Sequence, residues 1–273
     1  MEPRRLFRMP FGFGPSPGPR SGPDGRPFDW TETPARRAVA VSFRSDADAL
    51  QRLLPPGFTV RGEPVVTVEV QAFTELEWLA GRGYSTLGIK WPATFTGARD
   101  TATGPFLSVL WENLADPILT GRDELGFAKL YAEIHPPRLF HGRETHVATW
   151  LGHRFLDLEV SGLADAEPPL AAAAAGPLDG GTLHYKYVPA TGDVDAPDAA
   201  YACFTPAGGS HQRVERHQRG DGRVTFHPTR WEDMPTQAHV VEALRALPVR
   251  AWRGVTVTET RGGKDLSDQR RLA

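Results

Sequence analysis

Along most of the chain apolar and polar residues alternate with a period of two, which predicts strands rather than helices. RAVAVSF, from Arg37, opens the pattern. EPVVTVEVQAF continues it, with Val66, Val68 and Val70 on one face and Thr67 and Glu69 on the other. Further strands are expected at STLGIKWPATF, FLSVLWENL, RETHVATWLG, RFLDLEVSG, GTLHYKYVP, AAYACFTP, GRVTFHP and GVTVTETRG. Only DADALQRLL, ending at Pro55, and PTQAHVVEALRAL, bounded by Pro235 and Pro248, carry a helical pattern. Gly121 in GRDELGFAKLYAEI marks a turn, PATGDVDAPDA reads as a surface loop, and the alanine-rich stretch near residue 172 as a short helix or a linker. Residues 1–34 are too dense in Gly and Pro for regular structure and read as an extended arm lying on the body or on a neighbouring subunit. Residues 35–273 are expected to form a single domain. The expected class is α+β and β-rich.

Composition narrows the function. The chain has 273 residues, 40% of them apolar, enough for a substantial core. The longest apolar run, Leu170 to Ala175, is far short of the roughly 20 residues a membrane-spanning helix needs, and the first residues lack the apolar core of a secretory signal. A cytoplasmic location without membrane association is expected. A net charge of −2 with both signs scattered argues against a nucleic-acid surface. Small molecules are the expected partners. The single cysteine, Cys203 in YACFTP, excludes an internal disulfide and reads as a buried strand thiol. Gly12 and Gly14 lack the preceding strand and third glycine of a dinucleotide loop, so no cofactor is expected from them. His135, His141 and His146 lack metal-ligand spacing, and no metal is expected. No GxSxG elbow is present, and Ser210 falls in a polar loop.

The cations are unequal. Of 31, only Lys90, Lys129, Lys186 and Lys264 are lysines, and a lysine of lowered pKa can form an imine where arginine cannot. Codon bias alone also depletes lysine, so the four are ranked by context. Leu125, Gly126, Phe127 and Ala128 bring an apolar approach to Lys129, and Leu130 follows it. Two readings fit: a desolvated amine able to attack a carbonyl, or a lysine whose stem lies on Phe127 with its head in water. Trp78, Tyr84 and Trp91 read either as a pocket wall or as core.

GRDELGFAKL resembles the active-site signature of acetoacetate decarboxylases, in which a Gly-Arg-acidic turn is followed, at this spacing, by an aromatic residue, usually a proline, and the imine-forming lysine. Lys129 falls on that lysine. VSFRSDADALQRLLPPGF is similar to the family's first strand and helix, and EPVVTVEVQAF to its next strand, which places Glu69 on an active-site glutamate and Arg36 on a substrate-binding arginine. LHYKYVPATG resembles a family strand and turn in which Lys186 is structural. The resemblance covers about residues 36–190. It implies a barrel-like or large mixed sheet with few helices, a homo-oligomer, and no cofactor.

Two positions depart from the pattern. The family's second lysine is Leu130 here, and a further glutamate falls on Thr86. The resemblance implies carbon–carbon lyase chemistry on a keto acid through an imine on Lys129, with decarboxylation of a β-keto acid larger or less polar than acetoacetate as the first expectation. Aldol addition with dehydration on the same lysine, or ligand binding without catalysis, are the alternatives. Glu69 would shuttle protons if buried with a raised pKa, or be held in an ion pair with a nearby arginine. Arg36 or Arg122 would hold a substrate carboxylate, although bracing of the turn through Asp123 or Glu124 is the favoured reading of Arg122.

Overall fold

The computed structural model describes residues 9–14, 18–169 and 176–273; the alanine-rich stretch and part of the Gly/Pro-rich arm lie outside them. The alternating segments form the strands expected. They run β1 (Ala35–Arg44), β2 (Phe58–Val60), β3 (Val65–Leu76), β4 (Arg82–Thr96) and β5 (Thr101–Glu112). The short β6 (Lys129–Tyr131), β7 (Glu133–Ile134) and β8 (Arg138–Phe140) follow, then β9 (Arg143–Trp150) and β10 (His153–Asp165). The last five are β11 (Thr182–Ala190), β12 (Asp193–Thr205), β13 (Arg213–Phe226), β14 (Ala251–Arg261) and β15 (Arg270–Arg271).

Among the described residues all fifteen belong to one sheet, ordered β15-β12-β11-β5-β4-β3-β1-β14-β13-β10-β9-β7, with β2, β6 and β8 attached to β4, β5 and β9. The sheet is mixed: β5 pairs in parallel with β6 and with β11, and the remaining pairs are antiparallel. Six places apart in this order, β5 and β10 nevertheless bring Trp111 and Phe155 together at 5.3 Å between ring centroids. The sheet therefore curls on itself around an apolar interior. Val66, Val68 and Val70 of β3 all point into that interior, as their alternation predicts.

Asp46 caps helix α1 (Ala47–Gln51) by accepting from the backbone N–H of Asp48 and Ala49. Helix α3 (Ala238–Arg245) buries Ala238, Val241 and Leu244, the apolar stripe of the second expected helix. No helix is long and apolar enough to cross a membrane.

Three expectations are corrected. GRDEL is a π-helical turn, Gly121–Leu125, that continues a short helix, α2 (Ala115–Thr120). Its Pro117 sits in the first turn, where no intrahelical N–H is required. PATGDVDAPDA is the outer part of the β11–β12 hairpin rather than a loop. Its polar, proline-containing sequence is tolerated because β12 meets β15 only at Cys203 and Phe204, which leaves residues 193–200 on an open edge. The GRVTFHP strand begins nine residues earlier than its apolar pattern, at Arg213, because that stretch is mostly solvent-facing.

On the interior face, Arg37 of β1 donates two bonds to Glu144 of β9, 2.6 and 2.7 Å long, and His146 approaches the same carboxylate at 2.7 Å. Burial pushes this carboxyl up, but the bonds from His146 and Arg37 outweigh it and hold the group at about 2. A carboxyl depressed in the folded state adds stability above its unfolded value, near 4.5, and loses it as pH falls through about 2. Acid titration of thermal stability is therefore expected to fall more steeply over this window in the wild type than in Glu144→Gln, and parallel curves would remove the carboxylate from the account.

Candidate active site

The register of β1, β3, β4, β5 and β6 sets out the site as rows of side chains on the other face of the sheet. One row runs Glu69, Gly88, Leu110, Lys129; the next runs Gln71, Thr86, Glu112; a third pairs Arg36 with Phe73 and Tyr84. All of these residues line one cavity of about 440 Å³. Its floor is open because Gly88 has no side chain: a Cβ there would press on Leu107 and Leu110 at 3.2 Å. Those two leucines face the same way despite their odd spacing because a bulge after Ile89 shifts the β4–β5 register.

Lys129 is 6% exposed and Glu112 only 1%. The Lys129 Nζ lies 2.9 Å from Glu112 Oε1 and donates to the carbonyl oxygen of Pro117 at 2.8 Å. Burial pushes the Lys129 amine down, against the opposing charge of Glu112, and pushes the Glu112 carboxyl up, against that of Lys129. The amine is therefore buried beside its proton acceptor, and the exposed-head alternative does not describe this residue. Its pKa is lowered by desolvation without a cationic neighbour in sequence, since Leu130 packs on the core.

The turn before Lys129 is built to place it. Gly121 lies against the lysine: a Cβ there would overlap its Cδ, Cε and Nζ. Gly126 ends the turn at φ +78°, and Phe127 returns its N–H to the Gly121 carbonyl at 3.0 Å. Lys186 donates to the Asp123 carbonyl at 2.5 Å, and Arg122 to the Lys129 carbonyl at 2.9 Å. Phe127 stacks on His184, 4.1 Å between centroids, whose nitrogens lie 3.1 Å from the Gly126 carbonyl and 3.2 Å from Thr205 Oγ1. Burial lowers His184 to about 4, so the ring next to Phe127 is neutral at neutral pH.

Arg36, Glu69 and Lys129 share the cavity wall, but Arg122 does not. It is exposed and braces the turn, the favoured reading, through the Lys129 carbonyl. Glu124 instead pairs with Arg20. Glu69 accepts from Lys90 at 3.0 Å and from Gln71 at 2.5 Å. Burial alone would raise its carboxyl, but Lys90 and Arg36 together with these bonds hold it below its usual value. It is therefore kept ionised, in an ion pair with Lys90 rather than with the arginine expected.

Arg36 reaches Gln71 at 3.4 Å, and its buried Nε has no partner among the described residues. Trp78 and Tyr84 line the cavity, whereas Trp91 is core. Lys264, also on the wall, is tied to the carbonyls of Pro206 and Gly208 and to Asp268. Ser210 stands at the margin, accepting from the Gln212 N–H. Among the described residues no three His, Cys, Asp or Glu are placed to hold a metal. The Cys203 thiol is buried and pushed up to about 11, chiefly by desolvation.

Pro19, Trp30 and Pro34, from the N-terminal segment, line part of the cavity. Sequence reasoning missed Glu112 as a site residue and took Lys90 only as one of four candidate lysines, without a place in the site. Each is a charged residue at an inward position of an otherwise apolar strand, which is the signal that could have found them.

Comparison with known proteins agrees with this architecture. No curated protein matches the sequence significantly. Among solved structures, the chain is similar to acetoacetate decarboxylase from Legionella pneumophila, at 18% identity and TM-score 0.63 over 93% of each chain. It is also similar to an acetoacetate decarboxylase-like enzyme from Sphingomonas wittichii RW1, at 18% identity and TM-score 0.61 over 93% of this chain and 98% of that one. A third similarity is to the enduracididine biosynthesis enzyme MppR complexed with pyruvate, at 19% identity and TM-score 0.56 over 90% of this chain and 95% of that one. At these identities the likeness is one of fold. The model of the family "Acetoacetate decarboxylase (ADC)" matches residues 8–262, nearly the whole chain, so the protein belongs to the acetoacetate decarboxylase family, which supports an enzyme acting on a keto substrate through a lysine.

Proposed function

We propose that the protein is a carbon–carbon lyase that decarboxylates a β-keto acid through an imine on Lys129. The observation that carries this reading is a lysine amine that is buried, lowered in pKa by desolvation, and set on the wall of a 440 Å³ cavity. Condensation of the amine with the keto carbon releases water and leaves a protonated imine. The electrons of the bond to the carboxylate carbon then flow into it, carbon dioxide departs, and the enamine takes a proton and is hydrolysed. Arg36, with its unpartnered Nε, holds the carboxylate in this scheme. Glu69, ionised by Lys90, orients Arg36 rather than moving protons.

A second reading, aldol addition with dehydration, uses the same lysine and the same enamine. It is favoured by Thr86, where the resemblance expects a glutamate, and by the similarity to MppR, which has been seen with the condensation product of pyruvate and imidazole 4-carboxaldehyde.

Borohydride reduction in the presence of acetoacetate, pyruvate and larger keto acids, followed by intact-mass analysis and peptide mapping, tests both. An adduct on Lys129 is expected, with a mass that has lost carbon dioxide for decarboxylation and retained it for an aldol donor. Absence of any adduct, with a lysine aldolase trapped in parallel, would leave ligand binding without catalysis as the reading.

A further inference from the structure

Beside Lys129 two buried polar atoms have no hydrogen-bond partner among the described residues: Glu112 Oε2 and Thr86 Oγ1. Glu112 and Thr86 are direct partners across the β4–β5 ladder, so their side chains leave the same face about 5 Å apart at Cβ. Both line the cavity. A buried acceptor and a buried hydroxyl left without partners are costly, and such atoms side by side on a cavity wall mark a place for a polar group of a ligand. Glu112 Oε1 is already engaged by the Lys129 amine, so one carboxylate spans the nucleophile and this place.

We propose that Glu112 is the acid–base catalyst of imine formation, and that its free oxygen and Thr86 Oγ1 together hold the oxygen that leaves the substrate carbonyl. The inference rests on the reading of Lys129 as nucleophile. Glu112 takes a proton from the Lys129 ammonium, which frees the amine lone pair to form the bond to the keto carbon. A second proton passes from nitrogen to the former carbonyl oxygen, giving the carbinolamine. The Glu112 carboxylic acid then returns its proton to that hydroxyl, the carbon–oxygen bond breaks, and water departs with both of its hydrogens drawn originally from the ammonium. The protonated imine keeps the third hydrogen, and Glu112 ends as the carboxylate it began as.

The two carboxylates of the cavity divide in the way such chemistry needs. Glu69 is fixed in its charged form by Lys90 and Gln71, whereas Glu112 is almost fully buried with one cationic partner and is pushed towards protonation. The acid that the family resemblance expects at position 86 is thus supplied from the next strand, and the smaller Thr86 leaves room for it.

The test is the rate of borohydride trapping of pyruvate and acetoacetate by the full chain and by Glu112→Gln and Thr86→Val, each across pH. Glu112→Gln keeps an acceptor for the amine but no transferable proton, and is expected to trap roughly 100-fold more slowly and to lose the carboxyl limb of the pH profile. Thr86→Val removes a hydroxyl that lacks a partner, so it is expected to raise the Tm slightly while slowing trapping about tenfold. Wild-type rates and pH profiles in both folded variants would overturn the proposal and leave the imine reading standing. Should Glu112→Gln fail to fold, Thr86→Val decides in the same way. A wild-type chain that traps neither keto acid, nor any larger one, would instead remove the imine reading on which the proposal rests.

Discussion

A Lys129→Met chain is expected to form no borohydride-stable adduct with any keto acid and to show no turnover above background. It should also become pH-sensitive in a way the wild type is not. Among the described residues Lys129 is the only cation bonded to Glu112, and methionine fills much of the same space without a charge. Removing one partner of a buried pair leaves the other uncompensated, at a cost of about 3–5 kcal/mol if the group stays charged. Glu112 escapes most of that cost by taking up a proton, so its folded-state pKa rises further above the unfolded value near 4.5. For a raised carboxyl the native contribution is fully present below the unfolded pKa and is lost as pH rises through the folded one. Urea unfolding at pH 5 and pH 8 should therefore show the variant's deficit growing towards pH 8. A deficit equal at both values would mean that Glu112 finds another partner, and an adduct surviving in the variant would remove Lys129 from the chemistry altogether.

What could be seen of this site in the sequence follows from how far each signal reaches along the chain. Lys129 and Glu69 were legible from short contiguous motifs, through the resemblance these carry. The run Leu125 to Leu130 alone left a desolvated amine and an exposed head both open, and strand alternation set Glu69 opposite Val66, Val68 and Val70 without giving it a role. The sheet itself was legible locally, since a period of two needs no partner to be recognised. Glu112 was not. At the end of FLSVLWE it looks like a strand terminator, and it meets Lys129 only because β5 and β6 run parallel with Leu110 opposite Lys129, across a connection that includes a helix and a π-turn. Lys90 was hidden similarly, its role depending on the register that sets β4 against β3. Arg122 stands next to the chemistry in the motif, but a helical turn brings its head to the backbone of Lys129, and the cavity lining does not include it. Gly121 marks GRDEL as a turn in the sequence, but helical geometry needs no glycine there.

At that glycine folding and function pull apart. Gly121 has φ −69° and ψ −33°, ordinary helical values that alanine adopts freely, and within a helix alanine is favoured over glycine by roughly 0.5–1 kcal/mol. Backbone preference thus predicts a neutral or slightly stabilised Gly121→Ala protein. The new Cβ, however, would occupy the space of Lys129 Cδ, Cε and Nζ. A lysine end is flexible and gives way, but only by leaving the Pro117 carbonyl and Glu112, the two groups that fix its amine. The stability this costs is least at low pH, where Glu112 takes up a proton most readily. Displacement of a reacting atom by about 1 Å is enough to lower a rate about 100-fold. Gly121→Ala is therefore expected to stay near the wild-type Tm at pH 5, with a deficit that grows towards pH 8, while trapping keto acids at least about 100-fold more slowly. Gly126→Ala provides the contrast, since its φ of +78° and the Lys186 stem against it make the backbone itself the obstacle, and there Tm and trapping should fall together. Wild-type trapping by Gly121→Ala would show that the amine works from another position than the one held between Pro117 and Glu112, and with it the role proposed for Glu112 would lose its geometric basis.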